Sequence, residues 1–178
     1  ANDILDINKV EILKLNKTKF DVNELIRKTI IQFEHRILEK ELELEINFSN
    51  ERDIVIADED KIQRVIYNLF DNAIKFSNRG GLIKIETSTS EDKIFISVKD
   101  NGIGISEEDK KHVFERFFKA DSSRGMDKRG TVLGLSIIKE FIKVNDETIT
   151  LNSELGKGCE FIFTLTLSEN DLEEWTSL

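Results

Sequence analysis

Residues 59–76 carry the strongest folding signal in the chain. Apolar side chains recur there at helical spacing and predict a buried stripe. The stripe consists of Ile62, Val65, Ile66, Leu69, Ala73 and Phe76. At 100° per residue, a second set of polar side chains falls within about 80° on the helix surface beside this stripe. That polar face consists of Lys61, Arg64, Asn68, Asn72 and Lys75. We therefore expect a helix that packs on a core and presents amides and cations beside it.

The segments around this helix alternate between apolar and polar residues as strands do. The predicted strands are 42–48, 54–56, 82–87, 94–99, 148–152 and 160–167. Further helices are predicted from Asp21 or Asn23 to about Leu38, in a short segment that Ser106 and Asp109 open as a capping box, and at 135–144. These elements do not follow a regular βαβα order. The sequence therefore predicts an α/β two-layer sandwich, in which one mixed β-sheet carries its helices on one face.

Composition excludes several classes of protein. The 178 residues suffice for one domain, and the 39% hydrophobic and 34% charged residues are typical of a globular chain. No apolar run is long enough to span a bilayer. The single cysteine, Cys159, and the two distant histidines, His35 and His112, argue against a disulfide or a zinc site. The net charge of −9 argues against nucleic-acid binding.

Residues 110–130 have a charge opposite to that of the whole chain. This segment holds seven basic and three acidic side chains, together with Gly125, Gly130 and two serines. A solvated helix and loop would explain the basic residues alone. Glycines beside cations also suit the binding of an anion.

Three stretches hold residues suited to nucleotide chemistry, although each also has an ordinary structural explanation. Asn68 and Asn72 lie one helical turn apart, so an amide oxygen is available for a hard cation such as Mg²⁺ and Lys75 for a phosphate. Asp100, followed by Gly102 and Gly104, can accept a hydrogen bond from an amine on a planar base. Residues 129–136 form a glycine-containing helix start whose N–H groups suit an anion. The ordinary alternatives are an exposed helix face, a turn and a flexible loop.

The order of these stretches resembles that of the sensor histidine kinases. Asn68–Phe76 (NLFDNAIKF) is similar to the N box of that family, and Asp100–Gly104 (DNGIG) to its G1 box. Val113–Phe118 (VFERFF) is similar to the F box and Gly130–Gly134 (GTVLG) to the G2 box. The likeness covers about residues 18–167, and it implies the Bergerat fold, with ATP between the N-box helix and a lid.

The resemblance also implies a role for each motif residue. Asn68 would polarise or position the reacting group, Lys75 would contact a phosphate, and Asn72 would ligate Mg²⁺. Asp100 would accept a hydrogen bond from the adenine amine. Gly102 and Gly104 would line the base pocket. Phe114, Phe117 and Phe118 would anchor the lid. One of the lid cations Arg124, Lys128 and Arg129 would reach the β- and γ-phosphates, with the choice among them left open. Backbone N–H groups would bind the phosphates at Gly130, Thr131, Gly134 and Leu135.

The reaction implied is transfer of the γ-phosphoryl group of ATP to a histidine. His35 is followed by Arg36 rather than by an acidic residue, and the chain has no proline, so neither histidine matches the acceptor of the family. We expect the acceptor on a separate dimerisation domain, whose last helix residues 1–15 resemble. Residues 16–167 would form the catalytic domain and 168–178 an acidic tail. The chain starts without Met, and we expect it to be a monomeric cytoplasmic piece of a homodimeric parent that serves a response regulator.

Two departures from the family pattern keep other functions open. Val132 stands where the G2 box has its middle glycine, and a positive φ there would cost a β-branched residue about 1–2 kcal/mol. The alternative is therefore a degenerate, non-catalytic signalling module of the same fold with weakened nucleotide binding. A clamp-type ATPase ranks third, because Asn68 stands where those enzymes use a glutamate as base. Asn145-Asp146-Glu147 replaces a glycine-rich turn of the family.

Overall fold

The computed structural model of the chain describes residues 14–115 and 131–168, except for the side chains of 131–133. The strands are β1 (Thr18–Asp21), β2 (Glu43–Asn47), β3 (Ile54–Ala57), β4 (Leu82–Ser90), β5 (Lys93–Asp100), β6 (Ile149–Glu154) and β7 (Gly158–Leu167). The helices are α1 (Val22–Ile31), α2 (Glu34–Glu39), α3 (Glu59–Phe76), α4 (Glu107–Lys110) and α5 (Thr131–Val144).

The seven strands form one sheet in the order β1-β3-β7-β5-β4-β2, with β6 also paired to β7. The pairing of β2 with β4 is parallel, whereas the other strand pairs are antiparallel. The sheet is therefore mixed, as predicted.

Only one face of the sheet is apolar. On β5 and β7 the side chains that point to this face are fully or almost fully buried, and they include Ile94, Ile96, Val98, Phe161 and Phe163. The opposite face carries polar side chains such as Ser97 and Thr166. Helices α1, α3 and α5 cover this face with buried apolar residues of their own. This arrangement confirms the predicted two-layer sandwich with helices on one face.

Helix α3 has the bounds that its periodicity predicted. Asp58 caps its first turn, with Oδ1 accepting a hydrogen bond from the Lys61 N–H at 3.3 Å. At the other end, Lys40 Nζ donates to the carbonyl oxygens of Ile74 at 2.7 Å and Lys75 at 3.2 Å. A cation therefore caps the carbonyl end of this helix, where the helix dipole favours positive charge.

The helix predicted to run from about residue 21 to 38 is instead two helices, α1 and α2. The chain turns at Gln32 and Phe33. Phe33 is 1% exposed, and its ring centre lies 4.7 Å from that of Tyr67 and 5.2 Å from that of Phe70. Packing of this ring on α3 explains why the helical pattern is interrupted there.

Two further features differ from the sequence prediction. Strand β1 was not predicted, and α5 begins at Thr131 rather than at Leu135. Val132 therefore lies in the first turn of a helix, where φ is negative, so the strain considered for this position does not arise. Within the part of the chain that the structure describes, no helix is long and apolar enough to cross a bilayer.

Candidate functional site

A pocket lies between α3, the end of β5 and β7. The space in it that the centre of a water molecule can occupy is only about 10 Å³, so the pocket is narrow in this structure. Its lining consists of Leu69, Asn72, Ala73, Phe76, Val98, Asp100, Ile105, Leu135, Cys159 and Phe161. Two polar side chains, one amide and one carboxylate, therefore stand in a wall that is otherwise mostly apolar.

Asp100 is the carboxylate, and it lies at the last position of β5. It is 4% exposed, and its Oδ1 accepts a hydrogen bond from the Gly102 N–H at 2.9 Å. Burial raises the pKa of Asp100 from 3.8 to about 6, while the N–H groups of Gly102 and Cys159 and the charge of Lys40 act in the opposite direction. The side chain is therefore largely ionised at pH 7 and can accept a further hydrogen bond inside the pocket.

Asn72 is the amide, and it projects from the middle of α3. It is 4% exposed, and its side chain has no hydrogen bond to any residue of 14–115 or 131–168. Among the described residues, the fully buried side-chain polar atom without a partner is Asn23 Oδ1, so the Asn72 amide keeps some contact with solvent, which a ligand with polar atoms could replace. Asn72 therefore marks the polar end of the pocket as a place for a ligand.

Asn68 lies one turn before Asn72 and faces the start of α5. A Cβ atom built on Gly134 would lie 3.6 Å from Asn68 Nδ2. The next residue of α5, Leu135, lines the pocket itself. Residues from three separate stretches of sequence, Asn72, Asp100 and Leu135, thus share one cavity, with Gly134 and Asn68 next to them.

Lys75 lies outside the pocket lining. Its Nζ is 3.1 Å from Asp71 Oδ2, and the lysine side chain is 23% exposed. The other oxygen of Asp71 accepts a hydrogen bond from Arg36 Nη1 at 2.7 Å. Asp71 therefore holds both cations beside α3, and Lys75 is positioned by an ion pair rather than by contact with the pocket.

Gly102 and Gly104 are also not among the lining residues, and close backbone packing explains why they are glycines. A Cβ on Gly102 would lie 2.0 Å from the carbonyl oxygen of Phe76. Gly104 has a φ of 72°, and a Cβ there would lie 2.1 Å from the carbonyl oxygen of Glu154. The loop after β5 is thus pressed between the end of α3 and the β6–β7 hairpin, which explains these glycines without a planar ring.

More than half of the sequence matches the model of a known protein family. Residues 57–169 match the histidine kinase-, DNA gyrase B- and HSP90-like ATPase family. The chain belongs to this family. It is a catalytic, ATP-binding domain of the histidine kinase type.

Known relatives of this ATPase domain are sensor kinases. The chain is 31% identical to the sensor histidine kinase WalK of Bacillus subtilis over 98% of its own length and 29% of that protein. It is 35% identical to the sensor protein RprX of Bacteroides fragilis over 88% of its own length and 31% of that protein. The chain thus spans about three tenths of the curated relatives it matches.

Solved structures that are similar to this chain are also histidine kinases. The catalytic domain of histidine kinase ThkA is 33% identical, with a TM-score of 0.75, and the match covers 85% of this chain and 95% of that one. The mycobacterial sensor histidine kinase MprB is 25% identical, also with a TM-score of 0.75, over 84% of this chain and 98% of that one. These matches confirm the predicted fold.

Several predicted residues of this histidine kinase domain lie outside the described residues. They are Phe117, Phe118, Arg124, Lys128, Arg129 and Gly130, and the side chain of Thr131 is also not described. Of the F box, Phe114 packs edge-on against Phe161, with ring centres 6.2 Å apart. Phe161 lines the pocket, so the start of the F box rests on the pocket wall.

Sequence reasoning missed three residues that shape this site. Gly158 has a φ of 94°, and a Cβ there would lie 1.9 Å from the carbonyl oxygen of Asp100. Lys40 caps α3 and lowers the pKa of Asp100 by its charge. Cys159 lines the pocket beside Asp100. Glycines at 156 and 158 are typical of a turn, but nothing in the neighbouring sequence indicates that Asp100 lies beside it.

Proposed function

We propose that the domain binds ATP with Mg²⁺ in this pocket and transfers the γ-phosphoryl group to a histidine on a separate dimerisation domain of the parent protein. The observation that carries the proposal is the burial of Asn72 and Asp100 in one largely apolar cavity. An adenine base offers an apolar ring together with an amine, and these two properties match the apolar wall and the carboxylate.

Asp100 selects the base. Its Oδ1 accepts from the Gly102 N–H and the carboxylate also accepts from the Cys159 N–H, but two oxygens with two lone pairs each can still accept from the adenine amine. Leu69, Ile105 and Phe161 supply apolar contacts for the ring. A base with a carbonyl in place of the amine would face the carboxylate with an acceptor, and it would be rejected.

Asn72 fits a magnesium ligand. Its amide is buried and unpaired within the described residues, and Mg²⁺ takes few protein ligands in addition to phosphate oxygens and water. When bound, Mg²⁺ neutralises charge on the β- and γ-phosphates.

The triphosphate would extend from Asn72 towards α5. The N–H groups in the first turn of a helix have no partners within the helix and favour an anion. Asn68, next to Gly134, would orient the γ-phosphate. Lys75 would neutralise it, with its ammonium group already held at α3 by Asp71. We further propose Arg124, Lys128, Arg129, Gly130 and Thr131 as phosphate contacts from the lid.

The acceptor histidine would come from outside this chain. His35 is exposed on α2, and His112 Nδ1 lies 2.8 Å from Glu115 Oε1 at the surface, so neither lines the pocket. The acceptor imidazole nitrogen forms a bond to the γ-phosphorus, the bond from that phosphorus to the bridging oxygen breaks, and ADP leaves. We propose a homodimeric parent, a cytoplasmic location, where ATP is available, and a response regulator as the next acceptor. Histidine kinase ThkA has been solved in complex with the response regulator TrrA.

Calorimetric titration with ATP and ADP, with and without Mg²⁺, tests the binding step. We expect binding of both nucleotides and tighter binding with Mg²⁺. Asn72→Ala should weaken binding and abolish the effect of Mg²⁺. Asn78→Ala, at an exposed turn residue just after α3, is the matched control and should change neither. Nucleotide affinity and Mg²⁺ dependence that are unchanged in Asn72→Ala would contradict the proposed site.

Transfer of label from γ-labelled ATP tests the reaction. The domain is mixed with the dimerisation domain of its parent, and label should appear on that domain as acid-labile phosphohistidine. Label should be absent when the acceptor histidine is replaced by glutamine. ATP binding without any transfer to the intact acceptor would contradict the kinase reaction while leaving the nucleotide site in place.

A further inference from the structure

Ser153 joins two walls of the pocket without lining it. It lies on β6 directly opposite Cys159 of β7, so both side chains point to the same face of the sheet. The Ser153 hydroxyl lies 2.8 Å from the N–H nitrogen of Ile105, 2.8 Å from the carbonyl oxygen of Gly158 and 3.2 Å from Cys159 Sγ. Ile105 and Cys159 both line the pocket, from different segments.

The number of protons fixes the direction of these bonds. A serine hydroxyl has one proton to donate and two lone pairs to accept with. The carbonyl of Gly158 can only accept, so the hydroxyl proton goes to it. The Ile105 N–H and the Cys159 thiol are therefore the donors to Ser153. Burial raises the pKa of Cys159 to about 11, so the thiol keeps the proton that it donates.

Ile105 depends on this hydroxyl for its position. It lies in the loop between β5 and α4, outside any helix or strand, and it is 6% exposed. Its N–H makes its hydrogen bond to Ser153 rather than to a backbone carbonyl. Gly156 N–H donates to the carbonyl oxygen of Ile103 at 2.8 Å, so the same hairpin also holds this loop two residues earlier.

We propose that Ser153 is a positioning residue for nucleotide recognition. By binding Ile105 and Cys159 at once, it sets the gap between the loop after Asp100 and strand β7, and this gap is the width available to the base. The proposal rests on the proposed function, because it assigns Ser153 to the base end of that same site.

The test compares three variants by calorimetry with Mg-ATP and by competition with GTP. Ser153→Ala should weaken ATP binding about tenfold and narrow the preference for ATP over GTP at least threefold, because a loosened pocket holds the base less firmly against Asp100. Ser153→Thr keeps the hydroxyl and should remain within about twofold of the unsubstituted domain in both measurements. Ser97→Ala removes a hydroxyl on the other face of the sheet, 2.7 Å from Glu160 Oε2, and should leave both values unchanged.

The ratio of ATP to GTP affinity separates positioning from simple stability. A residue that only stabilised the fold would lower the melting temperature of Ser153→Ala and leave the base preference of the folded fraction intact. That result, or weakening of equal size in Ser153→Thr, would overturn the proposal.

Hydrogen exchange in the unsubstituted domain provides a test that needs no variant. The Ile105 amide should be protected to a degree typical of strand amides although it lies in a loop, and ATP should increase its protection. Exchange of Ile105 at the rate of an open loop would overturn the role of Ser153. Failure of the unsubstituted domain to bind ATP would instead overturn the proposed function, and protection of Ile105 would still report on the Ser153 contact.

Discussion

Replacing Asp100 by Asn separates the contribution of this residue to stability from its contribution to binding. Burial raises the pKa of Asp100 from 3.8 to about 6, so the folded domain holds this proton more tightly than the unfolded chain does. The contribution of Asp100 to the free energy of unfolding is therefore most favourable below about pH 4 and is lost as the pH rises to about 6. At about 1.4 kcal/mol per pKa unit, the ionised side chain costs the fold about 3 kcal/mol at pH 7.

Asparagine has the same shape without the charge. Asparagine has one acceptor oxygen where aspartate has two, so part of the hydrogen bonding with the Gly102 and Cys159 N–H groups is lost, which returns about 1 kcal/mol or more of the gain. We expect Asp100→Asn to stabilise the nucleotide-free domain by about 1–2 kcal/mol at pH 7, or a rise of several degrees in melting temperature. Below about pH 4, where aspartate is protonated in both states, the gain should disappear.

The same substitution should weaken nucleotide binding. A hydrogen bond to a charged group contributes about 1.5–3 kcal/mol, so ATP affinity should fall at least tenfold. In the unsubstituted domain the affinity should also fall below about pH 6, where Asp100 takes up a proton, and this dependence should be absent from Asp100→Asn.

Thermal unfolding between pH 4 and pH 8, together with calorimetry with Mg-ATP, checks both effects. Asp92→Asn removes the same charge from the exposed turn between β4 and β5 and is the matched control. The reasoning would be refuted if Asp100→Asn were less stable than the unsubstituted domain at pH 7, or if both bound ATP with equal affinity.

Three other substitutions have defined outcomes. Asp146→Gly should raise the free energy of unfolding by about 1 kcal/mol in urea titration, because Asp146 has a φ of 58°, which glycine adopts without strain; a loss of stability would contradict this. Gly102→Ala should lower stability by about 1–3 kcal/mol and ATP affinity at least tenfold, because its Cβ would meet the Phe76 carbonyl; unchanged affinity would show that the loop can move freely. Lys40→Met removes a charge that lowers the pKa of Asp100, so the pH at which ATP affinity falls should move upwards, and a fixed midpoint would exclude this electrostatic link.

The local pattern of apolar residues was sufficient to predict helix α3 and most of the strands. The apolar period of residues 59–76 predicted both ends of α3, because Asp58 caps one end and the stripe stops at the other. The same reasoning failed for residues 22–39, where helical spacing continues but the chain turns so that Phe33 can pack on α3. The interruption depends on a contact between residues more than thirty positions apart, which local spacing cannot reveal.

The candidate site was likewise predicted only in part from the sequence. The sequence showed Asn72, Asp100 and the helix start at 134–135 in their order, and the likeness to sensor histidine kinases gave each a role. That likeness placed Gly102 and Gly104 beside the base. In the structure they are glycines because a Cβ atom would collide with the carbonyl oxygens of Phe76 and Glu154.

The sequence by itself determined which polar groups the chain carries, that Asn68 and Asn72 share one helix face, and where α3 and most strands form, because these properties depend on near neighbours. Only the tertiary structure decided that Asp100 would be buried with a raised pKa, that Asn72 would lack a partner among the described residues, and that the Ser153 hydroxyl would link Ile105 to Cys159. The physical reason is that solvation and hydrogen bonding depend on what surrounds a group in space, and here those surroundings come from distant parts of the chain.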